Sequence, residues 1–215
     1  MQELEIINKY LGGHNSTIKG VKILLGLYGK KLPFRGILEI CEIGCGGGDN
    51  LKAIKSWCAS KNIPVKFTGI DINAECIAYA KENCKTINAE WFTSDYRFLN
   101  LTQKPDIVFS SLFCHHFTEN ELEEQFAWMK NNSRLGFFIN DLHRHPLAYY
   151  SISILTKIFS KSRLVKNDAP LSVLRGFKKK ELGNINMQNS RTHSRLYWHW
   201  AFRWLMVVKN ESAGD

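Results

Sequence analysis

One stretch constrains the fold more than any other: Ile37 to Asn50, which reads Ile-Leu-Glu-Ile-Cys-Glu-Ile-Gly-Cys-Gly-Gly-Gly-Asp-Asn. A short apolar run ends at an acid, glycines follow at 44, 46, 47 and 48, and a helical pattern begins at Leu51. That order describes a buried strand turning tightly into a helix, the place where open α/β sheets receive nucleotides. Glycine suits such a turn because the backbone angles are barred to residues with a Cβ, and because a ligand has to approach the main chain.

The spacing decides which ligand. A dinucleotide turn requires G-x-G-x-x-G, but counting from Gly44 puts Asp49 at the third glycine, and a carboxylate there repels phosphate. The pattern that does fit is acid-x-G-x-G-x-G, filled by Glu42, Gly44, Gly46 and Gly48. In this the chain resembles the class I S-adenosylmethionine-dependent methyltransferases. Their ligand has no phosphate and is a cation at sulfur, and the resemblance implies that the loop holds its amino-acid end. A glycine turn alone is weak evidence, and a tight turn with no ligand is the plain alternative until further motifs are counted.

Those motifs arrive in order. The next helix carries Leu51, Ile54, Trp57 and Cys58 on one face and stops before Pro64; a second strand, Val65 to Ile70, ends at Asp71. An acid about two dozen residues beyond the glycines, at the end of the following strand, is placed to accept hydrogen bonds from ribose hydroxyls; its structural alternative is a helix cap. Ile77, Ala80, Cys84 and Ile87 mark another helix, and a third strand, Ala89 to Thr93, ends at Ser94-Asp95-Tyr96. There the family has an acid or amide reading the adenine amino group and an apolar side chain against the ring. A fourth strand, Asp106 to Ser111, leads into Leu112-Phe113-Cys114-His115-His116-Phe117, then a helix opened by the capping box of Thr118 with Glu121, with Leu122, Phe126 and Met129 inward. A fifth strand, Leu135 to Ile139, ends in Asn140-Asp141-Leu142-His143. The resemblance therefore assigns the cofactor to Glu42, Gly44, Cys45, Gly46, Gly48, Asp71, Ile72, Asp95, Tyr96, Ser110 and Ser111. The expected fold is α/β, a Rossmann-like three-layer sandwich whose mostly parallel seven-stranded sheet closes with an antiparallel hairpin.

The flanks read differently. Leu4 to Tyr28 is expected to form two short helices around Gly12-Gly13, the second capped by Asn15 or Ser16, as an N-terminal cover (1–33) to the cofactor-binding core (34–143). Residues 144–182 break the strand–helix alternation and are expected to form a helical insertion over the substrate site. In it Leu147, Tyr150, Ile154, Ile158 and Phe159 give an amphipathic helix with lysines on its other side, and Asn167-Asp168-Ala169-Pro170 a turn. In 183–215, alternating and aromatic-rich Thr192 to Lys209 predicts the closing strands, its aromatics facing core or pocket. All of this forms one methyltransferase domain over 1–215.

Composition narrows the class. With 44% apolar residues the 215-residue chain is that of a soluble globular protein, and with neither a signal peptide nor a run of membrane-spanning length its expected compartment is the cytoplasm. The six cysteines lack metal or disulfide spacing and read as reduced packing residues. No metal site is expected. The formal net charge of +9 is unusual, and much of the excess follows Asp141. It suits nucleic acid, an anionic membrane or an acidic partner, or is simply a solvated face.

For the chemistry, the pair His115 and His116 lies just beyond strand four, and Asp141 with His143 at the matching end of strand five. A phenolic oxygen must lose a proton to accept a methyl cation, and a neutral imidazole can take it. The reading is His116 as base oriented by Asp141, with His115 the lesser contributor; the alternative is that the pair caps a loop or lines the pocket. The double histidine, Asn140-Asp141-Leu142-x-Arg144 and Asp168-x-x-x-Ser172-Val173-x-Arg175-Gly176-Phe177 resemble the methyltransferases associated with type III polyketide synthases and, more loosely, those of ubiquinone and menaquinone synthesis. That resemblance implies secondary metabolism and a small, apolar phenolic or quinol-type acceptor such as a phenolic lipid, methylated on oxygen. The product is S-adenosylhomocysteine, and His143, Tyr150 and Arg175 are the expected acceptor contacts. The basic stretch around Lys178 to Lys180 is an expected peripheral contact with an anionic membrane. Nucleobase-amine methylation is disfavoured, because Ser110-Ser111-Leu112-Phe113 replaces the Asp/Asn-Pro-Pro-aromatic motif. Two other classes stay open: an RNA-binding or RNA-methylating protein, and a catalytically silent cofactor-binding partner subunit.

Overall fold

The computed structural model describes residue 8 and residues 11–28, 36–160, 162–188 and 193–210. Seven strands form one sheet: β1 Leu38–Ile43, β2 Val65–Asp71, β3 Ala89–Thr93, β4 Ile107–Ser111, β5 Gly136–Leu142, β6 His193–His199 and β7 Arg203–Lys209. Their order is β3-β2-β1-β4-β5-β7-β6. The first five run parallel, and β7 is antiparallel to both β5 and β6. The order reverses between β1 and β4, so the crevice between the C-terminal ends of these two strands is where the fold admits a ligand. The glycine loop leaves one of those ends and the double histidine the other.

The described helices are α1 Gly13–Gly26, α2 Asp49–Ser60, α3 Ala74–Asn83, α4 Glu119–Asn131, α5 Pro146–Phe159, α6 Arg163–Arg175 and α7 Lys179–Gln188. Period-2 alternation divides the strands between two cores. Leu38, Ile40, Phe67, Phe109 and Phe138 pack with Val21 and Leu24 of α1 and Leu51 and Ile54 of α2. Cys41, Ile43, Val108, Phe137 and Ile139 pack with Phe126 and Met129 of α4 and Leu182 of α7. Gly20 lets α1 lie directly on β5, since a Cβ there would stand 2.6 Å from the Phe138 ring.

Three local expectations differ. Gly12, in the left-handed region at φ 74°, precedes α1, and no side chain caps that helix, so Asn15 and Ser16 lie inside it. Of the helix expected before it only Asn8 lies within the described residues. Strand β5 runs on through Leu142, because β7 pairs with it as far as Leu142 opposite Arg203. Pro170 lies inside α6, where a turn was expected: it is buried with Val165 and Val173, and that packing offsets the cost of a missing N–H. The insertion also inverts one reading. Ala148, Ile152 and Thr156 are the buried face of α5, while Leu147, Tyr150, Ile154 and Ile158 point outward. The narrow seam against Val173 of α6 takes the small and β-branched side chains.

The closing hairpin divides its aromatics. Trp204 is buried and donates its indole N–H to the Phe177 carbonyl at 3.1 Å, whereas Trp198 and Trp200 are exposed, so these two are neither core nor enclosed pocket.

Candidate active site

Strand β1 ends under the loop, and backbone φ values of 66°, 51° and 76° at Gly44, Gly46 and Gly48 turn the chain into α2. Two of these glycines are fixed by protein packing rather than ligand approach. A Cβ on Gly44 would meet the Phe113 ring at 2.3 Å, and one on Gly48 would meet Trp91 and the Cys84 sulfur at 2.7 and 2.8 Å. Phe113 reaches Gly44 because Leu112 adopts φ 54° as β4 ends, a strained angle for a branched residue.

Asp71 holds the loop from β2. Its Oδ2 accepts the Gly46 N–H and its Oδ1 the Asn73 N–H, each at 2.9 Å, while Asn73 rather than Asp71 caps α3. A carboxylate has about four acceptor positions, so two remain for hydroxyl donors. Glu42 is wholly buried and its Oε1 accepts from the Asn50 amide at 2.8 Å; its Oε2 is buried without a partner. Burial first, then the charge of Asp49, pushes this acid well above its usual range against the Asn50 bond, and Asp71 adds to the rise.

Beside the loop lies a cavity of about 200 Å³ lined by Asn8, Gly44 to Gly47, Asp49, Asn50, Cys76, Tyr79, Ser111 and Leu112. Its lining holds one carboxylate and neither lysine nor arginine, with Glu42 and Asp71 bonded to lining residues. Such a cradle favours a cation and opposes a phosphate. A larger cavity of about 350 Å³, among Glu39, Lys66, Glu90 and Pro105, opens at the N-terminal ends of the strands, where this fold does no chemistry.

Several residues of this region gave no signal in the sequence. His14 lies 2.7 Å from Asp49 through Nε2, and Asn8 donates to the same oxygen at 3.1 Å. Burial works against the Asp49 charge, yet the bonds from His14 and Asn8 hold its carboxyl below the ordinary value. Arg203 is buried in β7 and donates to the Asn8 side-chain oxygen at 2.9 Å; burial draws its guanidinium down to about 10, opposed by Asp141 and Asp49. A cation in an alternating strand reads as solvent-facing, which is why pattern alone passed over it. Asn140 faces the same layer, donating to the Gly13 carbonyl and Thr17 and, at 3.3 Å, to the Ser111 hydroxyl.

Asp141, one residue on, faces the opposite layer. Its Oδ1 stands 2.7 Å from His115 Nδ1, its Oδ2 accepts the His115 backbone N–H at 3.2 Å, and the Leu142 N–H donates to Oδ1 at 2.7 Å. This corrects the pairing expected from sequence: the aspartate orients His115, not His116. The 3-10 turn Cys114–His116 folds the first histidine in and the second out, leaving the rings 4.2 Å apart. Burial opposes the Asp141 charge, but the His115 charge and hydrogen bond and the two backbone bonds hold its carboxyl below the usual range. An ionised carboxylate can only accept, so Nδ1 carries a proton, and in the neutral form of the ring the lone pair lies at Nε2. That Nε2 is buried and has no hydrogen-bond partner among the described residues. His116, exposed at the turn, is held below the usual imidazole range by burial of its ring and the charge of His115, with Arg175 adding to the effect against Asp141.

The remaining sequence-derived residues divide. Ser111 and Cys45 line the cavity, whereas Ser110 turns to the core, 3.2 Å from the Cys114 sulfur. Asp95 caps the turn Tyr96–Phe98 and is gripped by Arg97, which with its backbone bond lowers the carboxyl. Tyr96 is buried, edge-on to Phe113 and Trp128, while Ile72 is exposed. Arg175 is felt at His116. His143 accepts the Trp198 indole N–H at 3.2 Å amid His145, Phe202 and Trp204, and Tyr150 faces outward from α5.

Residues 40–136 match the family model described as "Methyltransferase domain". No curated protein sequence matches the chain. Among solved structures, the plantazolicin methyltransferase BpumL in complex with SAH is similar over 98% of this chain and 89% of that one, at 16% identity and TM-score 0.69. Magnesium protoporphyrin IX methyltransferase (ChlM) from Synechocystis PCC 6803 with bound SAH is similar over 95% and 87%, at 16% identity and TM-score 0.56. A putative O-methyltransferase from Nostoc punctiforme PCC 73102 is similar over 97% of this chain and 59% of that one, at 12% identity and TM-score 0.63.

Proposed function

We propose that the chain is a class I S-adenosylmethionine-dependent methyltransferase, a reading supported by the match of residues 40–136 to a methyltransferase domain and by the shared fold, and that it methylates a hydroxyl of a small, apolar phenolic or quinol-type acceptor, with His115 as the proton acceptor and Asp141 as its orienting partner. The observation that carries this reading is the bare, buried Nε2 of an imidazole whose other nitrogen is committed to a carboxylate. A polar atom buried without a partner costs about 1–3 kcal/mol, and an acceptor hydroxyl bonded at Nε2 removes that cost.

The cofactor, when bound, supplies an electrophilic methyl group. The carboxylates around the glycine loop suit its positive charge, and the free acceptor positions of Asp71 suit ribose hydroxyls. What the chain adds is placement and proton removal. A phenol with a pKa of about 10 is neutral near pH 7, so its oxygen becomes a good nucleophile only as the proton passes to Nε2. The proton stays on His115 as an imidazolium, stabilised by the Asp141 carboxylate, and leaves to water when product departs. Positioning contributes the rest.

The test is transfer of label from methyl-labelled S-adenosylmethionine to a panel of acceptors: alkylresorcinols, demethylated quinols, a desmethylplantazolicin analogue, magnesium protoporphyrin IX and total RNA. Label on a phenolic oxygen supports the reading. Label confined to the peptide, the porphyrin or RNA overturns the acceptor assignment and leaves the cofactor assignment standing, whereas no label from an acceptor-competent preparation favours a silent partner subunit.

A further inference from the structure

Helices α5 and α6 pack against each other as a pair, yet each turns an apolar face to solvent. Leu147, Tyr150, Ile154 and Ile158 recur at positions three or four apart along the outer side of α5, and Leu164, Leu171 and Leu174 at spacings of seven and three on α6; all are 47–73% exposed. Core packing accounts for none of them, because Ala148, Ile152, Val165 and Val173 make the buried seam. Seven large apolar side chains exposed on two paired helices exceed the scattered exposed leucines of an ordinary surface.

The charge around that surface names its partner. Residues 146–182 hold eight lysines and arginines against two acids, six of the chain's nine net positive charges in 37 residues. Exposed cations border the apolar face: Lys157 beside Ile158, Arg163 beside Leu164, Arg175 beside Leu174, with Lys178 to Lys180 just beyond. Of the two acids, Glu181 is engaged by Arg144, leaving Asp168. A protein partner matched to leucine and isoleucine alone would not need this rim of one sign. An apolar face edged by cations is the pattern of helices that lie in the interface of an anionic bilayer. Among the described residues no helix is long and apolar enough to cross a membrane.

We propose that the outer face of α5 and α6 docks the protein on an anionic lipid bilayer, the isoleucines and leucines entering the acyl boundary and the lysines and arginines meeting lipid headgroups. This differs from the sequence expectation, which put the contact at Lys178 to Lys180 alone. It does not depend on the identity of the methyl acceptor, since it is read by binding without one.

The experiment is co-sedimentation of the full chain with phosphatidylcholine vesicles, with and without phosphatidylglycerol, at low and high salt. The expected result is binding to the anionic vesicles alone, weakened by salt. The pair Lys157→Glu with Arg163→Glu should lose at least about fivefold in affinity per cation removed, and Ile154→Glu with Ile158→Glu should abolish binding. All four positions are exposed, so circular dichroism of each variant should match the parent. Equal binding of the parent and the charge-reversed pair, or no binding to either vesicle, overturns the proposal. So does sedimentation velocity showing a dimer that Ile154→Glu with Ile158→Glu dissolves, which would assign the face to a second copy of the chain.

Discussion

Two histidine–aspartate pairs stand on opposite faces of the sheet, each at 2.7 Å, and differ in what surrounds them. In His14–Asp49 both side chains are 17% exposed, the imidazole bonds through Nε2, and Asp49 also takes a bond from Asn8. In His115–Asp141 the side chains are 2% and 1% exposed, the imidazole bonds through Nδ1, and Nε2 has no partner among the described residues. The first arrangement ties the start of α1 to the glycine loop, and no atom of its imidazole is buried without a partner. The second is incomplete, and burial makes the omission costly. Equal distance therefore says little about role; the burial of the second nitrogen separates a clasp from a base.

Removing the imidazoles one at a time breaks the comparison most strongly. His115→Ala should lower methyl transfer to a phenolic acceptor by about a hundredfold to ten-thousandfold, with cofactor affinity unchanged by calorimetry. Asp141→Asn should reproduce part of that loss, and the double variant should cost less than the two combined. If the double variant instead shows fully additive losses, the two side chains act separately.

On the cofactor side the expected loss is in binding. Asp71→Ala gives up hydrogen bonds to a charged acceptor, about 1.5–3 kcal/mol each, and also frees the Gly46 N–H, so titration with S-adenosylmethionine should show affinity lower by tenfold or more. Unchanged affinity would remove Asp71 from the site.

His14→Ala sharpens the contrast. Its pair is partly exposed and worth about 1 kcal/mol or less, so cofactor affinity should fall only a few-fold and the turnover of saturated enzyme should hold. A loss of turnover comparable with that of His115→Ala would erase the distinction between the pairs.

The smallest effect is on acid stability. Asp49 is held below its ordinary value in the folded chain, so it contributes stability that is full above the unfolded pKa of about 3.9 and is lost as pH falls through the folded value. Denaturant melts of parent and Asp49→Asn should differ near neutral pH and converge as pH drops below about 4. A gap that widens on acidification would contradict the assignment of the shift.

The glycine loop, Asp71 and the capping box of α4 were legible because each depends on local backbone geometry, which residue type and spacing encode. The succession of strands followed from period-2 patterning, and the mostly parallel sheet with its closing hairpin from the family resemblance. What was not legible depends on which way a side chain turns. Adjacent histidines cannot be ranked by spacing, and only the 3-10 turn folds His115 inward and sends His116 out. Ser110 and Ser111 alternate between layers, so of the two named for the cofactor only Ser111 lines the cavity. Arg203 was hidden because a lone cation in a strand is ordinarily solvated, and the outer stripe of α5 was misread because apolar periodicity marks a face without saying which face is covered.

The most direct test of the buried pair as a base is the pH dependence of methyl transfer by the parent and His115→Ala, each saturated with cofactor and using the phenolic acceptor that takes label. If Nε2 of His115 removes the proton, the variant should be slow near neutral pH and regain rate as pH rises towards about 10, where the phenol ionises unaided. Equal rates for the two proteins across the whole range, with cofactor affinity intact, would contradict the account and leave His115 a structural residue.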